Sequence, residues 1–205
     1  MTLSHRPFLI SGIVIAVLAL GATAWILGSR LTQEKTPSGE GMVSVPTDLS
    51  GPFDLVDQRG RAVTQADFKG EKVLLYFGYT FCPDICPTSL QVIATALDDL
   101  GPAGTRVRPL FITLDPERDR AEQLADYVGL FHERMVGLTG TQKQTDAVAR
   151  DFRVYFTLRK DVDPIEYPVD HSSYIYLMDE AWNLTLVFRH DVSPEIIAAA
   201  LREQL

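Results

Sequence analysis

Residues 72–87 read Lys72-Val73-Leu74-Leu75-Tyr76-Phe77-Gly78-Tyr79-Thr80-Phe81-Cys82-Pro83-Asp84-Ile85-Cys86-Pro87, and they hold both cysteines of the 205-residue chain. Val73 to Phe77 is continuously apolar, the pattern of a strand buried on both faces of a sheet. Pro87 suits the opening turn of a helix. Leu90, Ile93, Ala94 and Leu97 then recur at helical spacing until Gly101-Pro102 stops the pattern. The dithiol therefore sits at a strand-to-helix junction, where redox and soft-metal chemistry tend to be placed. Three residues separate the sulfurs, not the two of a CxxC redox motif. At a helix start, Cys86 would meet the partial positive charge and free N–H groups that favour a thiolate.

Working outward, Leu110 to Leu114 is a second buried strand. Upstream, Phe53 to Asp57 and Arg61 to Thr64 flank Gln58-Arg59-Gly60 as a hairpin with a glycine turn. Asp115-Pro116 reads as an N-cap followed by Pro at the first position of a helix running towards Leu130. Thr141 to Phe152 is a further helix. Tyr174 to Met178 and Leu184 to Phe188 form a hairpin, and Ser193-Pro194-Glu195 caps a last helix. This order predicts an α/β domain: a mixed central sheet flanked by helices, laid out as in a thioredoxin-like fold with a helix inserted after the second buried strand.

The first 48 residues differ. Phe8 to Leu27 is twenty residues without a charge, about 30 Å as a helix and long enough to cross a bilayer. Ala22-Thr23-Ala24 would also suit a signal peptidase, but the apolar run continues past it, which favours an uncleaved N-terminal transmembrane helix. The expected organisation is an anchor at 1–30, a polar tether at 31–48 and a globular domain at 49–205. On either reading the domain is exported. No cysteine near the N-terminus offers a lipid attachment point. Arg6 before the apolar run, and Arg30 and Lys35 after it, leave its orientation undecided. Residues 1–35 carry three basic side chains and one acidic, so residues 36–205 hold −10 of a chain whose net charge is −8. With no basic run and no interleaving of basic and aromatic residues, nucleic-acid binding is excluded as a function class.

The dithiol alone leaves three roles open: a cross-link, disulfide exchange or metal binding. A bond between residues four apart closes a small ring and restricts few unfolded conformations, which makes a structural staple the weakest of the three. Two thiolates suit Cu(I) but leave a metal site incomplete, and imidazole is the natural addition. Of the four histidines, His5 flanks the apolar run, His132 lies among charges, and His190 precedes the last helix. His171, in Val169-Asp170-His171-Ser172-Ser173, leads into the strand that would face the cysteine-bearing helix. On the residues alone, a packed or capping role stays as open to it as ligation. Asp84 reads as a turn-stabilising side chain and Asp115 as a cap. Asp170 would point away from its neighbour's face. Tyr76, Phe77, Tyr79 and Phe81 read mostly as core, with one or two rings shielding the site.

Three segments, Gly78 to Pro87, Thr113 to Asp119 (Thr-Leu-Asp-Pro-Glu-Arg-Asp) and Val169 to Leu177, together with the N-terminal apolar run, resemble the Sco/SenC family. These are membrane-tethered copper proteins required for cytochrome oxidase assembly. The resemblance runs the length of the chain in the family's order, and it rests on the cysteine and histidine motifs as a pair. It implies Cys82, Cys86 and His171 as ligands of Cu(I) or Cu(II). It also implies a metallochaperone for the dinuclear copper centre of cytochrome c oxidase subunit II. Such a protein is anchored in the bacterial inner membrane, its domain facing the periplasm or the equivalent mitochondrial intermembrane space. Other copper chaperones or thiol–disulfide reductants are the further implied partners. The alternatives are an enzyme, a thiol–disulfide oxidoreductase that reduces the acceptor's cysteines through Cys82 and Cys86, or a redox sensor. One departure stands out: the family's glycine-containing turn between the last two strands is Met178-Asp179-Glu180-Ala181-Trp182-Asn183 here. Asn183 is then expected to supply the left-handed conformation.

Overall fold

The computed structural model describes residues 41–43 and 49–205. In chain order its strands and helices are β1 (Met42–Val43), β2 (Asp54–Asp57), β3 (Ala62–Thr64), β4 (Lys72–Gly78), α1 (Ile85–Asp99), β5 (Val107–Thr113), α2 (Ala121–Gly129), β6 (Val136–Thr139), α3 (Gln142–Asp151), β7 (Phe156–Leu158), β8 (Val169–His171), β9 (Tyr174–Met178), β10 (Leu184–Arg189) and α4 (Pro194–Arg202). Eight strands form one mixed sheet in the order β1-β10-β9-β4-β5-β6-β2-β3, and β7 and β8 form a separate ribbon. Strands β4, β5 and β6 run parallel, while β9 joins β4 antiparallel. Every residue of β4 is buried: the apolar run Val73 to Phe77 fits a strand covered on both faces, and Lys72 at its start pairs with Glu180. The predicted architecture, a mixed sheet with flanking helices, is the one observed. The apolar run 8–27, His5 and most of the tether lie outside the described residues. Among the described residues no helix is long and apolar enough to cross a membrane.

Three local expectations need correction. Strand β6 was not foreseen. It is four residues long and interrupted by Gly137, whose missing side chain lets α2 approach closely: a Cβ there would stand 3.1 Å from both Leu124 and Val128. Asp115-Pro116 does not open a helix; α2 begins at Ala121 with Arg120 at its N-cap. The Asp115 carboxylate is fully buried and taken by Arg118 and by the Tyr167 hydroxyl (2.9 Å), so it holds distant segments together and caps nothing. In the last hairpin the left-handed residue is Trp182 (φ 73°), not Asn183. Asp179 takes hydrogen bonds from the Ala181 and Asn183 N–H groups and from the Asn183 side-chain amide, which uses Asn183 as a donor. The conformation at Trp182 costs about 1–3 kcal/mol. It delivers the indole edge-on to Phe53 (5.6 Å between ring centres), with its N–H donating to the Gly51 carbonyl at 3.3 Å.

The C-terminal ends of the parallel strands are joined at one buried residue, Asp119, through its carboxylate and its main-chain carbonyl. Asp119 accepts the Thr80 N–H (3.0 Å), the Thr80 hydroxyl and the Thr113 hydroxyl (2.6 Å), and its carbonyl accepts the Thr139 hydroxyl at 2.8 Å. The segment after β4, which carries the cysteines, is thereby fixed to β5 and β6. Replacing Asp119 by Ala leaves buried hydroxyls unpaired, and should cost about 2–4 kcal/mol of unfolding free energy in urea titrations. A loss under about 0.5 kcal/mol, the level of an ordinary surface change, would refute the tie.

Candidate metal centre

From Gly78 the chain turns through Tyr79 to Pro83, closed by the Cys82 N–H on the Tyr79 carbonyl (3.3 Å), and enters α1 at Ile85. The helix starts two residues before the proline that announced it. Pro87 is its third residue, in a turn whose N–H groups have no intrahelical partner, so proline is tolerated. Cys86 is the second residue and points inward, fully buried. It lies so close to β4 that a Cβ on residue 78 would come within 2.8 Å of its sulfur. Cys82 is half-buried, and its sulfur accepts the Cys86 N–H at 3.3 Å.

The contact between the two cysteines reverses the expected charge assignment. The hydrogen bond from the Cys86 thiol is the main influence drawing Cys82 down to about 3, against the opposing effect of burial. His171 and the backbone N–H groups of Asp84 and Cys86 add to the lowering. Cys86 itself is raised, because it donates that hydrogen bond, is buried, and faces the charge on Cys82. In the metal-free protein the thiolate at the helix start is therefore Cys82, with the proton on Cys86.

His171 ends β8, opposite Phe156 of β7. Its Nδ1–H donates to the Ser172 carbonyl at 3.0 Å, which turns Nε2 towards the cysteines, 3.4 Å from the Cys86 sulfur. Tyr76 and Tyr79 hold the imidazole edge-on, with ring centres 6.3 and 6.0 Å away. One donor atom each from Cys82, Cys86 and His171 lies within 4.8 Å of the others. Metal–sulfur and metal–nitrogen bonds of about 2.0–2.3 Å require donors about 3.5–4 Å apart in a trigonal set, so small side-chain adjustments complete it. Two sulfurs and an imidazole are a donor set for a soft or borderline ion. An open cleft of about 580 Å³, lined by His171, Ser172, Ser173, Tyr174, Arg189 and His190 among others, borders the histidine; neither cysteine lines it.

The remaining candidates fall elsewhere. Asp170 is exposed and pairs with Arg159 at 3.0 Å, on the face opposite to His171. Asp84 stands at the N-cap of α1, but its side chain makes no capping hydrogen bond. His132 Nδ1 accepts the Arg134 N–H at 3.1 Å. Tyr76, Phe77 and Tyr79 are buried as expected, whereas Phe81, beside Cys82, is 60% exposed. Residues not singled out in the sequence also shape the centre: Gly78 by its missing side chain, Ser172 by its carbonyl, and Asp119 through Thr80. Arg118 and Asp119 were visible only as members of a matching segment, with no role attached.

A family model described as SCO1/SenC matches residues 42–205. Protein sco1 of Schizosaccharomyces pombe is 42% identical over 156 residues, covering 75% of this chain and 59% of that protein. Protein SenC of Rhodobacter capsulatus is 34% identical over 199 residues, 97% of this chain and 90% of that one. Among solved structures, Arabidopsis thaliana ScoI with copper bound superposes with a TM-score of 0.72 at 37% identity, covering 76% of this chain and 98% of that structure. The match thus spans less than two thirds of the fission-yeast protein and nearly all of the bacterial one.

With the thiolate on Cys82, iodoacetamide should modify Cys82 of the reduced, metal-free protein more than about tenfold faster than Cys86. The Cys82 rate should stay nearly level from about pH 8 to about pH 5, since its thiolate persists down to the lowered value. A rate that falls tenfold per pH unit across that range, as for an ordinary thiol, would overturn the assignment.

Proposed function

The chain belongs to the SCO1/SenC family, and on that premise we propose that it is a copper metallochaperone using Cys82, Cys86 and His171 as its ligands. The observation that carries the proposal is the meeting of these three donors within 4.8 Å, the cysteines on a segment braced by Asp119 and the histidine bordering an open cleft. Copper is the cargo. Cys82 meets it already as a thiolate, His171 turns Nε2 towards the two sulfurs, and Cys86 must release its proton. Affinity therefore falls as the pH is lowered. Three protein donors leave coordination positions for an incoming ligand, and a partner's cysteine or histidine entering beside half-buried Cys82 can take the metal by stepwise exchange. Copper bound in the related ScoI structure supports this reading.

The proposed client is the dinuclear copper centre of cytochrome c oxidase subunit II. Residues 49–205 act as the copper-carrying domain, held by a tether at 31–48 and an N-terminal anchor at 1–30 on the periplasmic side of the inner membrane or its mitochondrial equivalent. Other copper chaperones and thiol–disulfide reductants are the proposed further partners.

A second reading, favoured by the asymmetry of the two sulfurs, is thiol–disulfide exchange with the acceptor. The Cys82 thiolate attacks a partner disulfide and one partner thiolate leaves. Cys86 then loses its proton and attacks Cys82. The second partner thiol is released, leaving a Cys82–Cys86 disulfide, so that the protein is oxidised by two electrons and the partner reduced by two.

Anaerobic copper titration separates these uses. Cys82→Ser and Cys86→Ser should each weaken Cu(I) binding by more than about a hundredfold, and His171→Ala should weaken Cu(II) binding at least about tenfold. Wild-type affinity for both oxidation states in His171→Ala would end the three-ligand proposal. A mixed disulfide with the acceptor trapped by Cys86→Ser, formed without copper, would favour the reductase reading.

A further inference from the structure

Among the described residues Arg118 is the one strongly enclosed cation close to the centre, and the copper proposal gives it no task. Its side chain is only 12% exposed. The Nε–H donates to fully buried Asp115, and Nη1 approaches the Ile165 carbonyl at 3.5 Å. Nη2 is buried without a hydrogen-bond partner. Three rings surround the guanidinium carbon: Tyr167 at 3.7 Å, Phe81 at 4.8 Å and Tyr79 at 5.8 Å from the ring centres. These rings come from the two halves of the ligand set. Tyr79 and Phe81 belong to the turn that ends in Cys82. Tyr167 precedes the strand carrying His171, and its hydroxyl is fixed on the same Asp115 carboxylate. Tyr79 completes the circuit by packing edge-on against His171.

Burying a guanidinium is costly, and one carboxylate with a long carbonyl contact does not use its five N–H donors. A planar cation does one thing here that an apolar side chain would not: it holds three aromatic faces from separate segments at fixed spacing. We infer that Arg118 is a positioning residue that sets the separation between the cysteine turn and the histidine strand, and so tunes the metal site without touching the metal. Phe81 fits this role. It is an exposed aromatic, next to Cys82 in the chain, whose ring centre lies 4.8 Å from the guanidinium carbon.

The inference rests on the copper reading, and its test keeps the two apart. Arg118→Met and Arg118→Lys are made with His171 present and in a His171→Ala background, and Cu(II) binding is followed by titration and by its electron paramagnetic resonance signature. A residue that aligns the two halves should couple to His171. Arg118→Met is expected to weaken Cu(II) binding about tenfold when His171 is present and less than about twofold when it is absent. Arg118→Lys keeps Asp115 paired and should recover thermal stability, but only part of the affinity. Full recovery of both would reduce Arg118 to a stabilising ion pair and overturn the assignment, as would equal losses in the two backgrounds. The metal-free arm records the imidazole nitrogen resonances. Arg118→Met should shift those of His171 and leave those of His132 in place, and unmoved His171 resonances would refute the inference directly. Should the wild type show no His171-dependent copper binding, the copper proposal fails, and the metal-free arm still judges the role of Arg118.

Discussion

The centre depends on a close approach between a sulfur and a backbone. Cys86 can lie flat against the end of β4 only because residue 78 has no side chain, since a methyl group there would meet the sulfur at 2.8 Å, Phe111 at 3.0 Å and Tyr76 at 3.1 Å. Everything above that contact is arranged around it. With Cys86 held down, its N–H and thiol both face Cys82, which takes the negative charge. The imidazole of His171 meets the pair edge-on to Tyr76 and Tyr79. A packing requirement in the strand therefore sets where the inner sulfur of the pair can lie.

Much of this was legible in the chain. Strand β4 announces itself by the apolar run Val73 to Phe77, and the helix after the cysteines by its periodicity. The hairpins follow from their alternation and turns. The pairing of the cysteine motif with His171 came from resemblance, since periodicity and spacing left the histidine's role open. What escaped were features in which a side chain serves a distant segment and not its own. Asp115 looks like a helix cap because Asp-Pro is a local signal; that its carboxylate is spent on Tyr167, 52 residues away, is written nowhere near it. Trp182 adopts a conformation suited to glycine because Phe53 and Phe68 need its ring. Strand β6 has too few residues, and a glycine among them, to show a pattern of its own. Cys86 was read as the thiolate because helix position is visible in sequence, while the partner of its proton is not.

Two adjacent charges, Arg118 and Asp119, divide the support of the centre between them. Asp119 works with hydroxyls and a backbone N–H and fixes the base of the cysteine turn to the parallel strands. Arg118 works with rings and gathers the upper part. Neither carries a donor to the metal cluster. Both lie in a seven-residue segment that looks in isolation like an ordinary loop, and burial of its charges is what distinguishes it from one.

The ligands are not all carried by the same body. The cysteines stand on the junction of a buried strand and a helix, within the main sheet, while His171 ends a ribbon of two three-residue strands that lies outside it. Two-stranded ribbons have little stability of their own and open far more often than the core beneath them. A metal held across such a boundary has a residence time governed by the weaker partner. In the proposed copper site, fraying of the ribbon takes away the nitrogen and leaves the two sulfurs in place on the sheet, so release begins at the ribbon: the door and the vault are separate pieces.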